Sequence, residues 1–365
     1  MAKKSKPSKF ASNGKKFQQN VASSKASPST ADGDGENRPR NILVTDATQP
    51  FTFSFVGRFG IFNSLIVNQT PQEETWPGGA LWDLGVLLSQ VLVAFSGITM
   101  AKQVESGKVK GTNRAITLPS RVIDTLDARI KAMQDAAVIL ELGCGVGLTG
   151  LVAAAALGAK CTVLTDLAVV IERVTGINVQ LNTIAGGSAI SNAIVRPRRI
   201  NKGNGTVVAI PLCWGNEEDE VAVTALLESL ATAAAPAKGK FRRKKKGSAP
   251  EPGTIAQEAL SRQPGVPDLV LIGDVAYQHK PGAPSHFDIL MSTLLKFVDD
   301  HTIVMFGTRI RMAASNDLLD IFLEHFDEIV TPALRANEID AAFAGVKHNM
   351  TIHFLQRKKA TAGAP

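Results

Sequence analysis

Cysteine is scarce in this chain: Cys144, Cys161 and Cys213 are the only three in 365 residues. None is spaced as a CxxC pair, which excludes a disulfide-stapled scaffold and a thiolate zinc knuckle and fits a reducing compartment. Histidine is almost as sparse, six residues without ligand spacing, so no metal site is expected. Tyr277 is the single tyrosine, and aromatics total 5%. An uninterrupted apolar run near the ~20 residues of a membrane span is also missing. The most apolar stretch, residues 80–100, is broken by Asp83, Ser89, Gln90 and Gly97. Within it Leu81, Leu84, Leu88, Val91 and Phe95 recur at helical spacing, which predicts a buried helix and no transmembrane segment.

Enough is present for a sizeable core, since 44% of the residues are hydrophobic. The net charge of +7 would suggest a nucleic-acid binder were it spread over the chain. It is not. Residues 1–40 carry +6 and residues 236–253 carry +6, so subtracting both leaves −5 for everything else. The first segment is rich in Lys, Ser, Ala, Asn and Gly, too polar to offset the entropy of ordering, and predicts a disordered basic tail over 1–47. It has no apolar core of a secretory signal. Residues 236–267, containing Phe241-Arg-Arg-Lys-Lys-Lys246, predict a disordered basic insertion inside a domain of residues 48–358, and 359–365 a short disordered tail. The basic run reads as a nuclear-import or polyanion-binding patch, or equally as a solubilising loop. Cytoplasm, with nucleus in addition, is the expected location, and both basic segments suit weak, salt-sensitive contact with nucleic acid or ribosomes.

Between about 48 and 68, Phe51, Phe53, Phe55, Phe59 and Ile61 alternate around Gly57 and Gly60, a strand or hairpin signature. From 138 onward short apolar strands (138–142, 161–165, 206–212, 268–272, 302–307) alternate with helices, including ones near 285–299 and 316–326. An alternating strand closes the pattern at 349–355. The reading is an α/β fold with a mostly parallel sheet covered by helices on both faces. Residues 101–135 fit no element firmly, apart from one candidate helix over 120–133.

The strongest motif is Glu141-Leu-Gly143-Cys144-Gly145-Val-Gly147-Leu-Thr-Gly150, directly after a strand and opening a helix. Glycines there let backbone approach a ligand, and the helix start offers unpaired N–H groups. Asp166 stands at the end of the next strand, where a carboxylate can accept both hydroxyls of a ribose. A nucleotide-type cofactor follows, and Gly145-x-Gly147-x-x-Gly150 also matches the dinucleotide fingerprint. Two features favour S-adenosylmethionine over NAD. Glu141 places an acid where a dinucleotide fold usually has apolar strand. Trp214, after the third strand, offers an indole face to an adenine ring, although packing at a sheet edge is its ordinary alternative.

These residues resemble a known family, the seven-β-strand protein-lysine methyltransferases called methyltransferase family 16, over about residues 50–356. Trp82-Asp83 is similar to its tryptophan–aspartate before the first helix, and the 141–150 run to its cofactor loop, where alanine is commoner than Cys144. Trp214-Gly215 resembles its Trp-Gly, and Asp274-Val-Ala-Tyr277 its Asp-x-x-Tyr after the fourth strand. The resemblance implies a Rossmann-like class I methyltransferase with a seven-stranded sheet preceded by an N-terminal β-hairpin. It implies that Trp82, Gly143, Cys144, Gly145, Asp166, Trp214 and Gly273 line an S-adenosylmethionine site, with Glu141 beside them. It implies that Asp274 and Tyr277 face the methyl-accepting nitrogen of a lysine on a protein, of the translation-factor or chaperone class. A monomer is expected. Gly273 departs from a more usual alanine, and 278–282 from the family's acidic residues. Histidine and small-molecule acceptors stay open, as does a non-catalytic, RNA-associated binding module on the same fold. Arg309 and Arg311, after the fifth strand, are candidates for substrate contact or for ordinary ion pairing.

Overall fold

Five runs rich in Val, Ile and Leu build the centre of one sheet, and their burial on both faces explains why they read as nearly continuous apolar sequence. A computed structural model describes residues 42–44, 46–56, 62–72, 75, 77–96, 99–100, 104–105, 108–109, 116–133, 137–185, 198–200, 206–232, 265–275, 286–309, 313–344 and 350–359. These belong to one unit, Arg40–Pro365. The expected basic tail up to residue 41, most of the 236–267 insertion, and the tail from 360 lie outside the described residues.

In chain order the main elements are β1 (Phe51–Val56), β2 (Phe62–Val67), α1 (Asp83–Phe95), α2 (Ser120–Met133), β3 (Val138–Leu142), α3 (Leu148–Ala156), β4 (Cys161–Asp166) and α4 (Gly176–Asn182). They continue with β5 (Thr206–Pro211), α5 (Glu217–Thr232), β6 (Leu269–Gly273), α6 (Phe287–Phe297), β7 (Ile303–Arg309), α7 (Ala313–His325), β8 (Phe326–Glu328) and β9 (Met350–Arg357). The sheet runs β5-β4-β3-β6-β7-β9-β8. Pairs from β5 to β7 are parallel, and β9 is antiparallel to both neighbours. That is a doubly wound, Rossmann-like sheet whose strand order reverses between β3 and β6, the place where such folds bind ligands. Short strands Thr183–Ala185 and Arg198–Ile200 extend the β5 edge, and Leu334–Arg335 pairs with β9.

Alternation along each strand divides the core into two layers. Ile139, Met305 and Leu271 pack with α1, α2 and α3, while Leu140, Phe306 and Ile272 face α5, α6 and α7. α1 is the helix expected from the 80–100 pattern; eleven of its thirteen residues are buried. Among the described residues no helix is long and apolar enough to cross a membrane.

The hairpin is present as β1 paired antiparallel with β2. Its second strand lies later than the phenylalanine alternation suggested; Leu65 and Val67 are buried in it, and Phe59 and Ile61 fall outside the described part. Two asparagines one helical turn apart on α4 close its free edge. Asn182 exchanges hydrogen bonds with the Ile66 backbone at 2.9 and 2.7 Å, and Asn178 with Asn68 at 2.8 and 3.0 Å. An exposed ladder edge is thereby paired. Asn178 also donates to the Val146 carbonyl at 2.9 Å, tying the hairpin to the glycine-rich turn.

One boundary needs correcting. Residues 42–44, assigned from composition to the tail, are held by Asp83, whose carboxylate accepts the N–H groups of Ile42, Leu43 and Val44 at 2.8, 2.9 and 3.3 Å. Val44 is buried. A partner 39 residues away or more leaves no local trace in the sequence.

Candidate active site

At the carboxyl ends of β3, β4 and β6 the described residues surround a cavity of about 290 Å3, near the lower end of the ~300–1,000 Å3 usual for small-molecule sites. All eight residues expected at the cofactor line it, and so does Asp274. Tyr277 lies outside the described residues, as do 276–285.

The turn after β3 needs its glycines. Gly143 (φ 69°) and Gly145 (φ 51°) adopt left-handed backbone that side chains disfavour. A Cβ on Gly145 would stand 3.0 Å from the Gly78 carbonyl oxygen, and one on Gly143 3.1 Å from Val275 and 3.4 Å from the Trp214 ring. The turn is also anchored by hydrogen bonds. Cys144 N donates to Thr165 O at 2.9 Å, and the Thr175 hydroxyl donates to Gly145 O at 2.6 Å. The Cys144 thiol is buried, and that burial, reinforced by nearby Asp166 and Glu141, pushes its pKa well above the ordinary value.

Two carboxylates brace the turn. Asp166 accepts Gly145 N on Oδ2 and Leu167 N on Oδ1, both at 2.8 Å. Burial raises its pKa to about 6, against the lowering effect of those two N–H groups. Glu141, 4% exposed, accepts Gly150 N at 2.9 Å from beneath α3. Burial carries its pKa to about 8, despite bonds from Gly150 and Thr149.

Two tryptophans form part of the wall. The Trp82 indole N–H donates to Pro77 O at 3.3 Å, and Trp214 packs over Gly143. Gly273 ends β6 directly against α1; an added Cβ would lie 2.8 Å from Leu88 Cδ1, the flexible end of that side chain. Asp274 follows with φ 54°, the one non-glycine residue with positive φ among those described. Its N–H donates to Gly307 O at 3.0 Å. A left-handed backbone at a cavity wall is a typical place for strain held by a surrounding fold.

Sequence reading missed several walls. Val275, next to Asp274 in the chain, also lines the cavity, as do His286, Phe287 and Ile289, the last close to Gly215, and Leu167, 46% exposed, next to Asp166 in the chain. Only Leu167 carried a signal, an apolar residue directly after a strand-end acid. Arg309 is 3% exposed and engaged within the fold, which favours a structural role over substrate contact; Arg311 lies outside the described residues. No group of His, Cys, Asp and Glu arranged to hold a metal ion occurs among the described residues.

The family found by comparison is the one the motifs resemble. Residues 63–196 match the family model described as lysine methyltransferase. That span holds Trp82, the 141–150 turn and Asp166, and stops before Trp214 and Asp274. No curated protein matches the sequence. Similar solved structures include MtNAS in complex with MTA and tNA, at 11% identity and TM-score 0.34, covering 66% of this chain and 61% of that one. The fibrillarin/Nop5p complex has 10% identity and TM-score 0.34, with 72% and 94% covered. The putative methyltransferase SMU.776 complexed with SAH has 10% identity and TM-score 0.33, with 64% and 49% covered. The chain thus spans less than two thirds of the first and third of these. Such low scores carry no function across.

Proposed function

We propose that this protein is an S-adenosylmethionine-dependent methyltransferase that modifies a lysine side chain of a protein, of the translation-factor or chaperone class, in cytoplasm and nucleus. The observation that carries the cofactor is the charge of the cavity. Its described walls contain three carboxyl side chains, Glu141, Asp166 and Asp274, and neither lysine nor arginine. Asp166, with its pKa at about 6, is ionised at neutral pH, whereas Glu141, at about 8, stays protonated; a wall so charged, with no cation to pair a pyrophosphate, disfavours a dinucleotide and suits a ligand bearing sulfonium and ammonium charges. The glycine turn leaves room for close approach, Asp166 sits where ribose hydroxyls can be accepted, and the Trp214 face suits a flat base.

S-adenosylmethionine supplies a methyl group activated by a positive sulfonium. The chain's task is to deliver an acceptor nitrogen with its lone pair free and in line with that methyl. A free lysine has a pKa of ~10.4 and arrives charged. Asp274 attracts and orients the ammonium. Val275, Phe287 and Ile289 add apolar wall to the same cavity, which disfavours the charge and releases the proton to solvent. Tyr277, through its motif alone, is assigned to the same acceptor. Lysine as the acceptor rests on the family match and on Asp274.

Thermal shift with S-adenosylmethionine and, separately, NAD tests the cofactor, because only a ligand favouring the folded state raises the midpoint. A rise with the methyl donor and none with NAD is expected; the reverse would sink the reading.

A further inference from the structure

Trp214 is held by its backbone, and the groups that hold it lie outside the cavity. On its N-terminal side Cys213 N donates to Asp219 Oδ2 at 2.8 Å. On its C-terminal side Gly215 N donates to Thr293 Oγ1 at 2.9 Å, and that hydroxyl donates in turn to Glu220 Oε1 at 2.7 Å. Lys296 donates to the other oxygen, Glu220 Oε2. Asn216 N closes the turn on Cys213 O at 3.0 Å. Glu220 and Thr293 are buried, whereas Lys296 is half exposed. Burial alone would raise the Glu220 pKa. Bonds from Lys296 and Thr293 outweigh it and hold the carboxyl below its ordinary range, so it is a charged acceptor at neutral pH.

A buried carboxylate is a costly way to join two helices, because apolar side chains of similar volume pack them as well or better. What the carboxylate adds is direction: it fixes the hydroxyl rotor of Thr293, and so the Gly215 peptide. With the peptides on both sides of Trp214 fixed, only the ring's own side-chain torsions remain free. The ring rests on the glycine turn at Gly143 and faces the cavity.

We propose that Asp219 and the Lys296–Glu220–Thr293 chain are positioning residues that hold the Trp214 indole as a preorganised face for the ligand's aromatic base. The proposal rests on the cofactor reading above. It assigns a ligand-binding role to residues on α5 and α6 that do not line the cavity, and it links affinity to the Glu220 carboxylate through Thr293.

The experiment is calorimetric titration of the full chain with S-adenosylhomocysteine, in a double-mutant cycle of Thr293→Val and Trp214→Leu. Thr293→Val keeps the volume and removes the relay. It should weaken binding about tenfold, equivalent to roughly 1.4 kcal/mol. In the Trp214→Leu background the same change should cost less than about twofold, since residues acting through one contact are not additive. Thr293→Ser should restore wild-type affinity. An undiminished tenfold loss without Trp214, or wild-type binding by Thr293→Val, overturns the proposal and leaves the cofactor reading intact. A wild-type chain that binds no S-adenosylhomocysteine overturns both. Should Thr293→Val fail to fold, Asp219→Ala and Asp219→Asn test the other side. Alanine should weaken binding severalfold and asparagine should restore it, and equal wild-type affinity for both would refute the clamp.

Discussion

Replacing Glu141 by glutamine should stabilise the ligand-free protein, and increasingly so as pH rises. Glutamine keeps the volume and an oxygen to accept Gly150 N, and it removes the ionisable group from a side chain only 4% exposed. Burial raises the Glu141 pKa from 4.5 to about 8. Between those values the folded chain holds a proton that the unfolded chain has released. Stability is therefore fully present below about pH 4.5 and falls as pH rises towards 8. The linkage relation makes the wild-type loss between pH 5 and pH 8 about 3 kcal/mol, an upper figure because local relaxation softens burial. Urea unfolding of both proteins at pH 5, 6, 7 and 8, without ligand, reads the gap. It should widen steadily in favour of Glu141→Gln, by one to a few kcal/mol. A constant gap, or one that narrows, would refute the claim that burial keeps the Glu141 carboxyl protonated in the folded chain up to about pH 8.

Asp274→Gly should abolish methyl transfer while raising stability by about 1 kcal/mol, because glycine relieves the left-handed backbone at φ 54°; thermal midpoint and turnover check the opposite signs. Asp83→Ala should cost roughly 2 kcal/mol, since one charged acceptor serves three backbone N–H groups, and limited proteolysis should show new cleavage near residues 42–46. Gly273→Ala should be tolerated within about 1 kcal/mol, because the atom it meets is the flexible end of Leu88; chemical denaturation measures it.

The parallel strands were legible because two-sided burial writes continuous apolar runs, as in Val138–Leu142 and Leu269–Gly273. α5 was not. Its opening Glu217-Glu-Asp-Glu220 reads as solvated charge, yet Val223, Leu226, Leu227 and Leu230 carry helical spacing and are buried. The glycine turn, Asp166 and Trp214 stood out because close backbone approach and strand-end placement restrict residue type locally. Glu141 was visible as an acid, whereas its bond from Gly150 N emerges only once α3 packs against β4. His286 and Ile289 reach the cavity from a helix that starts well beyond β6, so no local pattern marked them. Asp219, Glu220 and Thr293 are ordinary helix residues in sequence; only the juxtaposition of α5 and α6 makes them a relay.

The most direct test is incubation of the full chain with methyl-labelled S-adenosylmethionine and a cell extract, followed by mass spectrometry of the labelled product. Label on the side-chain nitrogen of a lysine in a protein, lost with Asp274→Ala although S-adenosylhomocysteine still binds, is the result expected. Label on nucleic acid, or full labelling by Asp274→Ala, would contradict it.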